Sequence, residues 1–262
     1  MKNSNKISQK QVTILGIKVL STSTSHLLAS IRENLSHNKI FYILTPNPEL
    51  VLASTKNDNL KTALNSATFS IPDGVGLNFA SKFLFGEPLK IIPGRKLFLD
   101  LIALANKKGW KVFFLGGNGK EAESAAEKLK ISYKNIKIET FAGPRLNDSA
   151  SPASEADKAL QKEAVSLINK FSPHVLFVAF GNPKQEIWIY KNLKSLNIGG
   201  AMAVGGTFRY IAGMSSLPPK WMEKGGLEWL WRLITEPQRV LRVFRAVLLF
   251  PLKIFLSKIG RG

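Results

Sequence analysis

The segment that most constrains the fold is an apolar run followed at once by a polar turn and a helix start. Residues 175–180 read VLFVAF, a pattern typical of a strand buried on both faces of a parallel sheet. Gly181 ends the run, and NPKQE then leads into IWIYKNL, which predicts a helix. This arrangement places backbone N–H groups at the carboxyl edge of a sheet, where open α/β sheets bind ligands. The alternative is an ordinary βα turn with solvated polar side chains.

Other apolar runs that predict strands alternate with helical patterns along the chain. They lie at residues 40–44, 68–71, 110–115, 136–141 and 199–204, and residues 11–20 alternate around a Gly as a small hairpin would. The alternation favours an α/β fold with a Rossmann-like, largely parallel sheet flanked by helices and joined by right-handed crossovers.

Beyond Pro218-Pro219 the sequence becomes basic and rich in aromatic residues. Residues 220–262 carry nine Lys or Arg against three Glu, within a chain of net charge +19. We therefore predict a Rossmann-like domain over residues 1–218 and a basic amphipathic helical appendage over residues 219–262, broken into short helices at Pro237 and Pro251. Its pattern favours binding to an anionic membrane surface. The alternative is a C-terminal helix packed on the core or on a neighbouring subunit.

Composition excludes several classes of protein. The chain has no Cys, which rules out disulfides and thiolate metal sites. Its first residues are polar and no apolar segment follows them, so we predict no signal peptide. The chain also contains no uninterrupted run of 18 apolar residues, so we predict no membrane-spanning helix. Nucleic acid is a disfavoured partner, because the aromatic residues that could stack on bases concentrate in the appendage.

Polar turns follow four of the predicted strands, and a doubly wound sheet brings such turns to one rim. They are Thr45-Pro46-Asn47, Asp73-Gly74-Val75-Gly76, Gly116-Gly117-Asn118-Gly119 and Gly181-Asn182-Pro183-Lys184-Gln185. Lys184 and Gln185 would direct donors into the crevice. The turn at Gly117 could hold a phosphate on backbone amides, although it lacks the complete G-x-G-x-x-G pattern of dinucleotide sites.

Asp73 is the one carboxylate within these glycine-rich turns. It could accept the proton of a substrate hydroxyl, although Asp-Gly more often serves only to shape a turn. The three histidines, His26, His37 and His174, are scattered, and the chain contains no D-x-D sequence. We therefore predict no metal site.

Six segments, in this order, give the chain a resemblance to the WecG/TagA/CpsF glycosyltransferase family from about Val12 to Pro251. They are TPNPELVLAS, PDGVGLNFASK, WKVFFLGG, FGNPKQE, GGTFRYIAG and PPKWMEKGGLEWLWRLITEPQRVLR. The resemblance implies a Rossmann-like transferase with a basic C-terminal appendage. It also implies transfer of an N-acetylhexosamine, N-acetylmannosamine or a related sugar, from a UDP-sugar donor to an undecaprenyl-diphosphate-linked acceptor in the synthesis of cell-envelope polysaccharide. It further implies that the anomeric centre is inverted and that neither a metal nor another cofactor is required.

The resemblance also implies roles for individual residues. Asp73 is the expected general base on the acceptor hydroxyl, and Gln185 is expected to contact the sugar or the acceptor. Thr45 and Asn47 are expected to line the pocket. The arginines expected to close over the donor diphosphate are Arg232, Arg239 and Arg242, which suits a reaction that develops charge on UDP without a metal. The expected location is cytoplasmic, at the inner face of the plasma membrane.

Three positions depart from the family pattern. Ile91 replaces an active-site Arg, and Lys96 replaces an Asp close behind it, so Arg95 is the candidate substitute for the lost Arg. Arg209 replaces the Asp of the usual Gly-Gly-x-Phe-Asp, which reverses a charge near the expected donor site and leaves the transferred sugar open. A catalytically altered module that only binds nucleotide sugar or anionic lipid is the rival interpretation. The sequence also leaves open whether the chain forms a homo-oligomer.

Overall fold

The computed structural model describes residues 10–235 and 240–260, and at residues 223, 224, 228 and 232 it describes the backbone only. The strands are β1 (Lys10–Ile14), β2 (Ile17–Ser21), β3 (Phe41–Leu44), β4 (Phe69–Ser70), β5 (Lys111–Gly116), β6 (Lys137–Phe141), β7 (Val175–Ala179) and β8 (Gly200–Ala203). The helices before β7 are α1 (Thr24–Ser36), α2 (Pro48–Ser54), α3 (Asp58–Asn65), α4 (Val75–Phe85), α5 (Gly94–Lys108), α6 (Glu121–Ser132) and α7 (Glu155–Phe171). The helices after β7 are α8 (Lys184–Asn192), α9 (Thr207–Ile211), α10 (Lys220–Lys224), α11 (Glu228–Thr235), α12 (Val240–Phe244) and α13 (Phe250–Ile259).

Strands β3 to β8 form one parallel sheet, in the spatial order β4-β3-β8-β7-β5-β6. Strands β1 and β2 form a separate antiparallel hairpin, as residues 11–20 predicted. The predicted α/β class, with a Rossmann-like parallel sheet flanked by helices, is confirmed.

Helices cover both faces of the sheet, which explains why its strands are apolar throughout. Along β3, Phe41 and Ile43 pack into one core cluster, whereas Tyr42 and Leu44 pack into the other. Side chains of α1, α5, α6 and α9 complete the first cluster, and those of α2, α3, α4, α7, α8 and α13 complete the second. A strand buried on both faces has no polar side to alternate with, so β7 reads as the unbroken run VLFVA.

The C-terminal segment packs against the second face of the sheet. Phe250 and Ile254 of α13 are both fully buried in the core cluster there. Lys253 Nζ donates to Thr55 Oγ1 at 3.1 Å, next to the end of α2, and Lys258 Nζ donates to the Phe83 carbonyl of α4 at 3.0 Å. Helix α13 is therefore part of the folded core, although the segment that contains it is basic.

Residues 240–259 form one continuous helical rod, so the break predicted at Pro251 is wrong. A π-helical turn, Arg245–Leu249, joins α12 to α13, and Pro251 is the second residue of α13. Proline is tolerated in the first turn of a helical segment, and a local change of winding accommodates its missing N–H group. Pro237 lies outside the described residues. In the part of the chain that is described, no helix has the length and hydrophobicity needed to cross a bilayer.

Candidate active site

The candidate site lies at the carboxyl ends of β3, β8 and β7, near the middle of the sheet. From β3 the chain passes to α2 on one face of the sheet, whereas from the neighbouring strand β8 it passes to α9 on the other face. Loops that leave neighbouring strands in opposite directions open a crevice between them, and this switch point is the usual ligand site of open α/β sheets. The fold thus produces a crevice where the sequence predicted one.

A polar crevice of about 150 Å³ occupies this position. Six residues that the sequence predicted for the site line it: Thr45, Asn47, Asp73, Arg95, Gln185 and Arg242. They come from five separate segments of the chain: the turns after β3 and β4, the first turns of α5 and α8, and α12. The crevice is therefore assembled by the sheet together with the C-terminal rod.

The turn after β3 holds Asn47 in place. The Asn47 side chain accepts a hydrogen bond from the Leu50 N–H at 2.9 Å and so caps the N-terminus of α2. Pro48 then occupies the first position of that helix, where its missing N–H costs nothing. Capping fixes Asn47 at the crevice wall.

Asp73 is oriented by two backbone hydrogen bonds. Its own N–H donates to the Pro46 carbonyl at 2.9 Å, and the Gly94 N–H donates to Asp73 Oδ2 at 3.3 Å. A Cβ atom on Gly94 would lie 3.1 Å from Thr45 Oγ1 and 3.4 Å from Asp73 Oδ2. Glycine therefore allows the first turn of α5, with its positive dipole end, to approach the carboxylate closely.

Gln185 joins the turn after β7 to the turn after β8. Its Nε2 donates to Asn182 Oδ1 at 2.7 Å and to Glu186 Oε1 at 2.8 Å, while its Oε1 accepts from the Gly205 N–H at 3.0 Å. Only 3% of the Gln185 surface is exposed. The side chain is thus a buried bridge at the crevice floor.

Glu186 also lines the crevice and is a buried acid that the sequence analysis did not assign to the site. Its exposed fraction is 1%, and among the described residues its Oε2 atom has no hydrogen-bond partner. Burial raises the pKa of the Glu186 carboxyl to about 7, and the neighbouring charge of Glu49 adds to the increase. A glutamate in the first turn of a helix usually faces solvent, so nothing in the sequence distinguishes this one.

Arg242 brings the C-terminal rod to the crevice. Its Nε lies 3.4 Å from Glu49 Oε1, which joins α12 to the first turn of α2. Arg95 lines the same space from the first turn of α5. Of the other two predicted appendage arginines, Arg239 lies outside the described residues, and Arg232 lies in α11 with only its backbone described.

A second, larger cavity of about 640 Å³ adjoins the polar crevice and has a mainly apolar lining. Asn47, Asp73, Arg95 and Arg242 line both spaces. The apolar wall comes from α4, α11 and the C-terminal rod, and includes Phe79, Trp229, Val243, Ala246, Val247 and Pro251. Asp73 consequently stands where a polar space meets an apolar one.

Three predicted residues line neither cavity. Gly117 lies in the turn after β5, where Glu121 Oε2 accepts from the Asn118 N–H at 3.0 Å, so a side chain of the protein occupies the acceptor position that a phosphate would take. Lys184 Nζ donates instead to the Leu146 carbonyl at 2.6 Å. Arg209 lies in α9, whose Thr207 and Tyr210 line the crevice in its place.

The described residues contain no cluster of three or more His, Asp or Glu side chains arranged to hold a metal ion. The charged groups of the site are Asp73, Glu49, Glu186, Arg95 and Arg242, drawn from different elements. Chemically, the site combines a carboxylate that can accept a proton with two guanidinium groups that suit phosphate oxygens.

Residues 12–262 match the family model described as Glycosyl transferase WecG/TagA/CpsF family. Three curated relatives share the name N-acetylglucosaminyldiphosphoundecaprenol N-acetyl-beta-D-mannosaminyltransferase. The one from Bacillus spizizenii strain W23 is 32% identical over 84% of this chain and 80% of its own length. That from Bacillus subtilis strain 168 is 29% identical over 87% of this chain and 84% of its own. That from Staphylococcus aureus strain NCTC 8325 is 29% identical over 95% and 93%.

The family match extends over almost the whole chain, including the C-terminal rod that contributes Arg242 to the crevice. The relatives likewise cover most of this chain, so the similarity is not confined to one segment of the sheet. The chain belongs to the WecG/TagA/CpsF family of glycosyltransferases.

Proposed function

We propose that the protein transfers an N-acetylhexosamine, N-acetylmannosamine in the first instance, from a UDP-sugar to a sugar linked to undecaprenyl diphosphate. The reaction inverts the anomeric centre and proceeds without a metal ion. The relatives' names support the proposed sugar and acceptor, because they describe transfer of an N-acetylmannosaminyl group to N-acetylglucosaminyldiphosphoundecaprenol. The product would be an intermediate of cell-envelope polysaccharide synthesis.

The observation that carries this proposal is the meeting of two cavities of opposite character at Asp73. A nucleotide sugar is polar and anionic, whereas the acceptor carries a long polyprenyl chain. The polar crevice suits the sugar and the diphosphate of the first, and the larger apolar cavity suits the part of the acceptor next to its lipid. A reaction between two such substrates needs its base at the boundary, and Asp73 lies there.

In the proposed step, the acceptor hydroxyl oxygen attacks the anomeric carbon as Asp73 takes the hydroxyl proton. The bond between that carbon and the diphosphate oxygen breaks, and UDP leaves with the electron pair. Attack from the face opposite to UDP inverts the centre. The Gly94 N–H bond to Oδ2 orients the carboxylate for this role.

Negative charge grows on the diphosphate as this bond breaks, and guanidinium groups would stabilise it. Arg242 and Arg95 both line the crevice. The Arg242 pair with Glu49 is partly exposed, so the guanidinium can engage a phosphate at low cost. We propose the same role for Arg232 and Arg239, on the strength of the family resemblance.

The departures from the family pattern fit this arrangement. Ile91, at the position of the usual family Arg, lines the apolar cavity, and Arg95 lines both cavities. We propose that Arg95 supplies the cation that Ile91 cannot. Arg209, which lines neither cavity, would then influence the choice of sugar only through its neighbours in α9.

The C-terminal rod supports a place at the membrane surface. Leu241, Phe244, Leu248, Leu252, Phe255 and Ile259 follow a helical stripe, and each is between 48% and 66% exposed. Together with nearby cations, such a stripe suits the headgroup boundary of an anionic bilayer. We therefore propose a cytoplasmic location at the inner face of the plasma membrane. Residues 1–218 would form the crevice floor, and residues 219–262 its roof and membrane face.

Liposome flotation of the full-length chain tests the membrane proposal. Leu248→Glu with Leu252→Glu should reduce binding to vesicles containing anionic lipid by at least about ten-fold, because burying each leucine contributes about 1.5–3 kcal/mol. The control is Ile131→Glu, which alters an apolar side chain on α6, across the sheet, that is even more exposed than the two leucines. Equal binding by the double variant and the control would contradict a membrane role for the rod.

A donor panel tests the transfer itself. Purified protein is incubated with a lipid-diphosphate-linked N-acetylglucosamine and with UDP-N-acetylmannosamine, UDP-N-acetylglucosamine or UDP-glucose, in the presence of EDTA. We expect transfer from the first donor and a β-linkage by NMR. Activity that appears only on addition of manganese or magnesium would refute metal independence. UDP binding with no transfer from any donor would favour the non-enzymatic alternative.

A further inference from the structure

The buried pair Gln185–Glu186 determines which hydrogen-bonding group the crevice floor can offer a substrate. The Gly205 backbone N–H can only donate, so the Gln185 atom that faces it at 3.0 Å must be the amide oxygen. The opposite atom is then Nε2, whose two hydrogens go to Asn182 Oδ1 and Glu186 Oε1. Both donors of the amide are used, and Oε1 keeps one acceptor position.

We propose that Glu186 is a positioning residue that locks the Gln185 amide with its oxygen available, so that Gln185 recognises a substrate group that donates a hydrogen bond. In the proposed reaction this group is a hydroxyl of the donor sugar or of the acceptor. The identity of that group rests on the proposed function, whereas the locking of the amide does not.

The surroundings of Glu186 explain why it holds this orientation so firmly. A carboxyl that is 1% exposed cannot exchange its Gln185 partner for water without opening the core. Replacing the carboxyl by an apolar group would leave one Gln185 N–H buried without an acceptor, a costly state that the side chain could relieve by swinging towards water in the crevice. That movement would break the bond to Gly205 and shift the amide oxygen from its place at the crevice floor.

Kinetics of substituted enzymes test the positioning role. Glu186→Leu should lower kcat/KM by about ten-fold, the usual scale for coupling within one hydrogen-bond network. Glu186→Gln keeps an oxygen that can accept from Gln185, so it should lose no more than about three-fold. In a Gln185→Leu background, adding Glu186→Leu should cause no further loss, because Glu186 then has no amide to orient.

Hydrogen exchange gives a measurement that needs no substrate. The exchange rate of the Gly205 amide should rise by about ten-fold in Glu186→Leu and stay close to wild type in Glu186→Gln, since only the first variant frees the Gln185 oxygen from Gly205. The control is Asp157→Leu, which removes a buried carboxylate in the first turn of α7 that accepts a hydrogen bond from the Arg145 N–H at 2.8 Å. It should lower stability without changing kcat/KM or the Gly205 rate.

The outcomes separate this proposal from the proposed function. Additive losses in the double variant, or an unchanged Gly205 exchange rate in Glu186→Leu, would overturn the positioning role even if transfer is observed. If the wild type transfers no sugar, the proposed function fails, and the Gly205 exchange rates still decide whether Glu186 orients Gln185. If Glu186→Leu does not fold, the Gly205 rate in Glu186→Gln together with Gln185→Leu kinetics decides. A Gly205 exchange rate in Glu186→Gln as slow as in the wild type, together with a kcat/KM loss above ten-fold for Gln185→Leu, supports the proposal. A faster Gly205 exchange rate in Glu186→Gln refutes it.

Discussion

Replacing Glu186 by Gln should change how the stability of the protein depends on pH. The pKa of the Glu186 carboxyl rises from 4.5 to about 7 in the folded state, because burial disfavours its charged form. Below pH 4.5 the folded and unfolded states are both protonated at this group. Between pH 4.5 and 7 only the folded state keeps the proton, so stability falls as pH rises, and above pH 7 the cost of a buried charge is fully present.

The magnitude follows from the difference between the two pKa values. A difference of about 2.5 corresponds to about 3 kcal/mol at 1.36 kcal/mol per pH unit. The group is completely buried, so no correction for solvent screening applies. Glu49 faces Glu186 and raises its pKa further, while Glu49 is itself paired with Arg242. Gln has no proton to lose in this pH range. The free energy of unfolding of Glu186→Gln, relative to that of the wild type, should therefore increase by about 3 kcal/mol between pH 4.5 and 7.

Urea unfolding of both proteins at pH 4, 5, 6, 7 and 8 measures this difference. The wild-type and Glu186→Gln proteins share every other titrating group, so subtracting the two curves isolates the contribution of Glu186. A difference in free energy of unfolding that is the same at every pH reflects the packing of the Gln side chain and leaves the expected pH dependence unaffected. Parallel curves would refute the buried, proton-holding state of Glu186.

Three further substitutions test the proposed chemistry at neighbouring positions. Asp73→Asn should lower kcat by roughly 10²–10⁴-fold and leave the Kd for UDP almost unchanged, because it removes the proposed base and keeps the shape of the side chain. Loss of UDP affinity with a normal kcat would instead make Asp73 a contact of the donor. Arg242→Ala should weaken UDP binding about 10- to 100-fold by calorimetry, the usual value of a hydrogen bond to a charged group, and an unchanged Kd would remove Arg242 from the donor site. Gly94→Ala should reduce kcat with little change in Tm, because its Cβ would lie 3.1 Å from Thr45 Oγ1; wild-type kcat would show that the α5 approach is not needed.

The fold and much of the site followed from local sequence patterns. An apolar run such as VLFVA requires cover on both faces, and this requirement alone indicates a parallel sheet with helices on either side. Once the sheet is parallel, the turns after its strands share one edge, which is why Thr45, Asn47, Asp73 and Gln185 meet.

What the sequence could not supply depends on distances between elements. Gly117 belongs to a strand-end turn like the others, but a local side chain, Glu121, fills that turn, and its strand lies farther from the switch point. The position of Glu186 at a helix start predicts a solvated charge. In the structure, the packing of α8 against α3, β7 and β8 buries it. Pro251 is typical of a helix break, but it lies in the first turn of α13, directly after a π-helical turn, where its missing N–H group is tolerated. The burial of Glu186 was decided by elements remote in the sequence, whereas the other two outcomes depend on the conformation of neighbouring residues, which the pattern does not specify.

The C-terminal rod has two apolar sides, and this bears on how the lipid-linked acceptor that we propose could reach Asp73. Val243, Ala246 and Val247 line the inner cavity, while Leu248, Leu252 and Phe255 face outwards on the same helix. Exposing each CH₂ of a polyprenyl chain to water costs about 0.8 kcal/mol, so a route through solvent would be slow. A chain that slid around the rod from a bilayer would exchange one apolar neighbour for another. The entry of the acceptor would then be lateral diffusion along a single helix, with no aqueous step to limit its rate.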